Sequence, residues 1–319
     1  MQFVRRFKNS LGFDMRTNDE QKRHGAAAFV MNHATPRFPQ FIANSILLLL
    51  SVFITETAFA HGELLIRIGE VTQQINAATN QNAQLYLERA ELYRMDQNWA
   101  AAEADYVRAE QLAPNLPGVQ VSHAGMLTDS GQFEMARVMF NNVLQCSPKN
   151  GDAYVGRARV LVKLGQRNAA IVDFKRGLEL VANPAPENFV ELAGALTAEG
   201  RIENALATLD QGIKKLGPIP ALQTPAIDLE LSRKNYNRTL ARIDSLLPNL
   251  LRKENWLARR GDILIEAGRK ADACKSYEDA LTAIKALPWR VQQSSPMLRL
   301  KAHMAEALGV TAHPALAGK

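Results

Sequence analysis

A spacing of 34 residues recurs along this chain and restricts the folds open to it more than any other feature of the sequence. Residues of similar size are separated by this step: Ala90 and Ala124, Trp99 and Phe133, Ala102 and Ala136, Tyr106 and Phe140, Pro114 and Pro148. The phase continues at Ala158, Ala170 and Phe174 and then, after one inserted residue near "NPAPE", at Ala193, Gly200, Ala205 and Leu209. Such periods are typical of arrays in which each unit packs against its neighbours.

Each unit predicts two helices joined by a turn. Ala90 and Ala102 let the paired helices approach closely, tyrosines at helical spacing fill the remaining space, and Pro114 ends the second helix. The turn after the first helix, at 97–99 in the first unit, holds a glycine in later units, where a backbone with positive φ ends a helix. These glycines are Gly131, Gly165, Gly200 and Gly268. Hydrophobic residues make up 47% of the chain and aromatic residues only 7%, which favours helices over sheets.

This pattern resembles the tetratricopeptide repeat, W-x₂-L-G-x₂-Y followed by A-x₃-F and P, over residues 83–287. The resemblance implies an all-α fold, a right-handed α-solenoid of about six helix-turn-helix units. It also suggests an exported protein of bacterial type. The fifth unit, from residue 220, is degenerate, because Pro225 and Ile227 lie where its first helix should be regular.

Both ends of the array predict capping helices, which arrays need because terminal units otherwise expose an apolar face. An N-terminal amphipathic helix is expected in 61–82, with a stripe of Leu64, Leu65, Ile68, Val71 and Ile75. A C-terminal capping helix and tail are expected in 288–319. The helix begins with Ser295 as N-cap and Pro296 in the first turn, carries Leu298, Met304 and Leu308, and ends at Gly309.

The first 60 residues predict a leader with a signal peptide. The run "ILLLLSVFI" at 46–54 precedes Ala58-Phe59-Ala60, so cleavage is expected after Ala60 and the protein is expected to be exported, periplasmic or secreted. A retained membrane anchor is the alternative, although polar residues shorten the run below the roughly 20 apolar residues that span a bilayer. Met31 is an alternative start that gives a leader of ordinary length.

Charge is unevenly distributed along the chain. The formal net charge is +6, half of it in the leader, so a nucleic-acid partner is not predicted. Residues 61–116 carry 4 basic and 8 acidic residues, whereas residues 233–275 carry 11 basic and 5 acidic residues. The latter include a basic patch of Arg252, Lys253, Arg259, Arg260, Arg269 and Lys270. Membrane contact is expected only through this patch or an uncleaved leader.

No catalytic motif is present in the sequence, neither G-x-S-x-G nor H-E-x-x-H nor a phosphate-binding glycine loop, so an enzyme is not expected. Glu103, Glu134 and Glu203 are expected on outward faces. No metal or cofactor is predicted, and His123 is expected to pack between helices rather than join His61 in a metal site. Cys146 and Cys274 lie in distant units, so we expect small packing residues rather than a disulfide.

The resemblance also implies that the first helices line a concave groove. Its expected residues are Leu87, Glu91, Arg94, Val121, Gly125, Thr128, Val155, Arg159, Lys163, Val190 and Gly194. Leu87, Glu91, Ser122, Gly125, Asp152 and Gly156 stand where relatives that bind a chain-terminal carboxylate carry their clamp, so that mode is not predicted. The sequence therefore predicts a non-catalytic scaffold that binds an unidentified peptide or protein outside the cytoplasm. The alternative is an envelope assembly factor that docks an anionic lipid or glycan through the basic C-terminal units.

Overall fold

A computed structural model describes residues 62–309, apart from 79, 115 and 117. These residues are mostly helical and contain no strand. The helices are α1 (62–77), α2 (Ala83–Met95), α3 (Trp99–Leu112), α4 (Val119–Asp129), α5 (Phe133–Cys146), α6 (Gly151–Lys163), α7 (Arg167–Leu180), α8 (Pro186–Ala198), α9 (Ile202–Leu216), α10 (Pro220–Ser232), α11 (Tyr236–Leu246), α12 (Glu254–Glu266), α13 (Lys270–Lys285), α14 (Trp289–Gln292) and α15 (Ser295–Ala307). A short 3₁₀ helix, Leu247–Asn249, follows α11.

Helices α2 to α13 form six consecutive pairs, and each pair packs against the next. We number the pairs units 1 to 6 and call their members the first and second helices. The predicted all-α solenoid of six units is confirmed. By its contacts Ala60–Lys319 is one compact unit, and the apolar clusters of the array lie within it, as expected of a part that folds on its own.

The turn inside each unit has the same backbone geometry. Positive φ values of 59–81° occur at the four predicted glycines and at Gln97 and Lys234, which take the same place in units 1 and 5. In all six units the next amide donates to the carbonyl five residues earlier at 2.8–2.9 Å. This bond occupies a carbonyl at the end of the first helix, so the chain reverses at a fixed point of every unit.

Alanines at the crossing points and aromatic rings between them form the core, as the spacing predicts. Ala90, Ala102 and their equivalents in units 2 and 3 are fully buried, and so are Tyr106 and Phe140. Glycine also allows a close approach of the two helices in unit 3, where a Cβ at Gly177 would lie 3.1 Å from the Gly151 carbonyl oxygen.

Unit 5 differs from its prediction, because its first helix α10 is regular and contains Pro225. Proline cannot donate an amide hydrogen bond, and its ring crowds the carbonyl four residues earlier. Pro225 lies in the second turn of the helix, so the one affected carbonyl is that of Ala221 in the first turn, and α10 continues past it. The second helix, predicted at "NYNRTLARI", is observed as α11.

The ends of the array differ from prediction in detail. Ile68 and Val71 of α1 are buried against Leu92, but Leu65 is half exposed because it lies about 100° around the helix from Leu64. Helix α15 buries Met297 and Met304, and its N-cap is Ser294 rather than Ser295.

The two cysteines differ in exposure. Both are free thiols, and Cys274 is partly buried as expected, whereas Cys146 is exposed at the end of α5. None of the described helices is long and apolar enough to cross a membrane. The expected leader, its cleavage site, His61 and the tail from residue 310 lie outside the described residues.

Candidate partner-binding face

The first helices of neighbouring units are joined by ion pairs on the face that they share. Arg94 of α2 binds Asp129 of α4 at 2.7 Å, and Arg159 of α6 binds Glu191 of α8 at 2.8 Å. Arg259 of α12 pairs with the Asp228 carboxylate of α10 in the same way. This face therefore carries charges of both signs, each held against the neighbouring unit.

In unit 1 the expected groove residues Glu91 and Arg94 form one network. Glu91 accepts a hydrogen bond from the Tyr106 hydroxyl at 2.8 Å and another from Arg94 at 3.2 Å. Burial lowers the pKa of Arg94, but the hydrogen bond and charge of Asp129 outweigh it, and the pKa is raised overall. A Cβ at Gly125 would lie 3.5 Å from the Arg94 guanidinium, an ordinary van der Waals distance, so this group packs directly beside Gly125.

Units 3 and 4 leave more space beside their arginine than units 1 and 2 do. The Nε of Arg159 donates to both oxygens of Glu191, and the side-chain Oδ1 of Asn188 accepts from the same guanidinium at 3.2 Å. The side chains of Arg159 and Glu191 are 46% and 36% exposed. A Cβ at Gly194, one turn further along α8, would meet nothing within 4 Å. Lys163, one turn beyond Arg159, is exposed.

The remaining expected groove residues contribute less. Leu87, Val121 and Val190 are partly buried against the apolar clusters, and the Thr128 hydroxyl donates to the Ala124 carbonyl of its own helix at 2.8 Å. The expectation for Val155 is corrected: Val155 is only 4% exposed, because it packs against Gly177 where α6 and α7 cross.

Two equivalent clefts lie on the second helices, and the sequence analysis missed them. One, of about 370 Å³, lies between α5 and α7, with Arg157 and Val172 among its lining residues. The other, of about 350 Å³, lies between α3 and α5, with His123 and Val138 among its lining residues. Val138 and Val172 are exposed and are 34 residues apart. The recurrence of valine at the repeat spacing was the feature of the sequence that could have indicated these clefts.

Each cleft is lined by a polar side chain from the same position of the repeat, Arg157 in one and His123 in the other. Arg157 forms a bidentate ion pair with Asp173 at 2.6 and 2.8 Å, as Arg89 does with Asp105 in unit 1. The hydrogen bond and charge of the aspartate raise the pKa of each arginine despite its burial. These pairs fix the first helix on the second within a unit.

His123 takes that repeat position in unit 2 and is buried between helices as expected. Its ring stacks on Tyr106 at 5.2 Å, and its two nitrogens contact Glu110 at 2.9 Å and Glu103 at 2.8 Å. The Glu103 side chain is 42% exposed, as expected of an outward face, and its carboxylate also contacts His123. Glu134 and Glu203 are exposed as expected. Among the described residues, no group of His, Cys, Asp and Glu is arranged to hold a metal ion.

Comparison with known proteins agrees with this repeat geometry. Residues 151–183, which coincide with unit 3, match the family model of the tetratricopeptide repeat. The chain is a tetratricopeptide repeat protein. The assignment rests on this match and on the helix pairs described above. No curated protein is significantly similar to it in sequence.

Solved structures also align with this tetratricopeptide repeat protein. A tetratricopeptide repeat protein from Parabacteroides merdae ATCC 43184 is 17% identical, with 79% of this chain and 97% of that chain covered and a TM-score of 0.47. YrrB, described as a TPR protein with an unusual peptide-binding site, is 13% identical over 63% of this chain and 97% of its own, with a TM-score of 0.45. MamA from Desulfovibrio magneticus RS-1 is 12% identical, covers 52% and 92%, and has a TM-score of 0.41. These scores are too low to support any detail of the site.

The expected basic patch of this tetratricopeptide repeat protein is largely ion-paired. Arg252 pairs with Glu254 at 2.5 Å, Arg260 with Asp244 at 2.7 Å, and Arg269 with Asp272 at 2.7 Å, while Arg259 binds Asp228 as described above. Lys253 and Lys270 are exposed. Local carboxylates therefore neutralise four of the six cations, and an anionic ligand would have to compete with them.

Proposed function

We propose that this protein is a non-catalytic scaffold that binds a segment of a partner protein across the first helices of units 3 and 4. Tetratricopeptide repeat proteins are generally non-catalytic and commonly bind protein or peptide partners. The observation that carries the proposed location is the open space at Gly194 beside the exposed pair of Arg159 and Glu191.

The geometry favours an extended segment with an acidic side chain. A glycine on a helix surface lets another backbone approach closely, while the Arg159 guanidinium offers a planar set of donors that fits a carboxylate. Exposed ion pairs contribute at most about 1 kcal/mol, so a partner carboxylate can displace Glu191 at small cost. Lys163 adds a second positive charge beside this position.

We further propose that the scaffold acts outside the cytoplasm, in the periplasm or as a secreted protein. The support is the apolar run at 46–54 followed by small residues at 58 and 60, which is the pattern of a signal peptide. Detection of a mature chain that begins at residue 61 in the exported fraction would support this location, and an intact N-terminus in the cytoplasmic fraction would contradict it.

Affinity capture with blocked variants tests the binding site. The tagged chain is used to capture partners from the native envelope fraction, and the retained proteins are quantified by mass spectrometry. Gly194→Leu fills the open space and Arg159→Ala removes the carboxylate donor, so each should reduce the retained partner by at least about tenfold, equivalent to 1.4 kcal/mol.

Gly69→Leu is the matched control, because a Cβ at Gly69 also meets nothing within 4 Å but lies in α1. This variant should retain the partner fully. A defined partner that is held equally well by the wild type and by both unit 3 and unit 4 variants would overturn the proposed location.

A further inference from the structure

Two large apolar side chains are exposed at the C-terminal end of the array. Leu251, between the 3₁₀ helix and α12, is 102% exposed, and Trp289, the first residue of α14, is 71% exposed. Each of these two side chains exposes apolar area to water, and covering that area would be favourable.

These two residues lie on segments that meet at the start of α15. Leu250 and Val291, close neighbours of Leu251 and Trp289 in the chain, pack against the same apolar cluster. The Arg252 guanidinium contacts the Met297 sulfur at 4.0 Å, and Met297 belongs to that cluster. The loop before α12 and helix α14 are therefore anchored to one end of the molecule.

Helix α14 is held in place by hydrogen bonds at its end. The Gln292 amide donates to the carbonyls of Lys285 and Leu287 at 3.1 and 2.7 Å. Lys301 donates to the Gln292 carbonyl at 3.3 Å. Trp289 is thus presented on a fixed turn, which lowers the entropy cost of binding through it.

The charged residues of the segment that carries Trp289 are all basic. Lys285, Arg290, Arg299 and Lys301 lie in 285–301, and the sequence has no acidic residue between 280 and 305. Within the described part of the chain, Arg290, Arg299 and Lys253 form no ion pair, in contrast to the arginines of the expected basic patch. The positive charge without an ion pair therefore extends from Lys253, within the expected basic patch, to Arg290 and Arg299 beyond it.

We propose that this end of the array, formed by 250–253, α14 and the start of α15, binds the surface of an anionic lipid bilayer. Tryptophan favours the boundary between headgroups and acyl chains, and basic residues are attracted to anionic headgroups. The exposed leucine adds apolar area that enters the same boundary. The array then lies at the membrane surface with the first helices of units 3 and 4 free for a partner.

Vesicle flotation tests this proposal. The experiment uses the compact unit Ala60–Lys319, so that the apolar run at 46–54 does not contribute. Vesicles are either pure phosphatidylcholine or a mixture of phosphatidylcholine and phosphatidylglycerol. Binding is expected only to the mixed vesicles and should fall sharply in 1 M salt, where the screening length is about 3 Å.

Variants localise the binding. Trp289→Ser should lower the partition coefficient for mixed vesicles about tenfold, because an interfacial aromatic ring is lost. Arg290→Gln with Arg299→Gln should lower it about 30-fold, about fivefold for each basic residue. Val172→Ser, on an equally exposed apolar residue of α7, and Arg167→Gln with Lys175→Gln, on exposed cations of the same helix, are the matched controls and should leave it unchanged.

The emission of Trp289 gives a second measurement at the site itself. The difference spectrum between the wild type and Trp289→Phe isolates its fluorescence from that of the other two tryptophans, and this spectrum should shift to shorter wavelength on mixed vesicles. Absence of binding, equal binding to pure phosphatidylcholine, or equal losses in the control variants would overturn the proposal. Retention on an anionic polymer such as heparin without vesicle binding would also overturn it.

Discussion

Gly177 and Gly194 differ in what an added methyl group would meet, and this difference predicts opposite effects of the same substitution. At Gly177 a Cβ would lie 2.6 Å from Cγ2 of Val155, 3.1 Å from the Gly151 oxygen and 3.2 Å from the Val155 nitrogen. Two of these atoms belong to the backbone of α6, so the contact is relieved only if α6 and α7 move apart. At Gly194 the added carbon meets nothing within 4 Å.

The expected magnitudes follow from two opposing effects. Alanine in place of glycine stabilises a helix by about 1 kcal/mol at either site. Overpacking costs about 1–3 kcal/mol, and the backbone contacts at Gly177 place this substitution at the upper end. Gly177→Ala should therefore lower the free energy of unfolding by about 2 kcal/mol, and Gly194→Ala should raise it by about 1 kcal/mol.

Urea unfolding followed by far-ultraviolet circular dichroism measures both variants beside the wild type. The quantity compared is the midpoint and slope of each transition, because repeat arrays can lose two-state behaviour. The packing argument is refuted if Gly177→Ala is as stable as the wild type. A destabilised Gly194→Ala would show that the space beside Glu191 is already occupied in solution.

Three further predictions concern buried phenols and ion pairs. Burial first, and then a hydrogen bond to a carboxylate, raises the pKa of Tyr106 and of Tyr277 above the ordinary 10.0, so both should resist ionisation in an absorbance titration at alkaline pH. The stability that they contribute is complete below pH 10 and is lost as the pH rises further, because only the unfolded state then ionises readily. Asp173→Ala leaves a partly buried guanidinium without its main acceptor and should cost about 2–3 kcal/mol in urea unfolding, and an unchanged midpoint would contradict this. Reversing Arg159 and Glu191 together should recover what either single reversal loses, with a coupling of at most about 1 kcal/mol in a double-mutant cycle.

The unit boundaries, turns and core were predictable because each depends on residues that are close in sequence. A glycine at the turn and an alanine five residues later, as at Gly131 and Ala136, recur without knowledge of the neighbouring unit. Steric limits on φ and the small space between crossing helices act on those residues directly. The same reasoning missed Val155, because its repeat position indicates a helix face but does not show how closely the second helix approaches that face.

The pairing of charges between units was not predictable from the repeat position alone. Arg94 and Arg159 were placed in an open groove, whereas each binds a carboxylate of the following unit. Within a unit a signal did exist. Tyr106 lies 15 residues after Glu91, and Tyr277 lies 15 residues after Asp262, and both hydroxyls donate to those acids.

Units 2 and 3 support this relation between the two positions. Phenylalanine replaces tyrosine at 140 and 174, where the residues 15 earlier are Gly125 and Arg159. A buried hydroxyl needs an acceptor, so the ring carries one only where the first helix supplies an acid. Aligning the repeats with one another therefore shows which two positions change together, here the acid of the first helix and the hydroxyl of the second. A search for single motifs does not use this relation.

Unit 5 shows why the pattern fails in sequence while the fold persists. Glu230 stands where units 2, 3, 4 and 6 carry a core leucine, and it is only 1% exposed. The Asn235 side chain donates to its carboxylate at 2.7 Å, and Arg242 lies 3.7 Å from it. The apolar clusters on either side end at Ala226 and begin at Ile227.

A polar network thus replaces leucine packing near the C-terminal end of α10. Burying a carboxylate without partners would cost several kcal/mol, so Glu230 is tolerated only because the same unit supplies an amide and a guanidinium. The residues that make this unit look degenerate are therefore mutually dependent. A repeat profile treats each of these residues as a separate mismatch to the consensus. The fold requires only that the buried position be filled and that its polar atoms form hydrogen bonds.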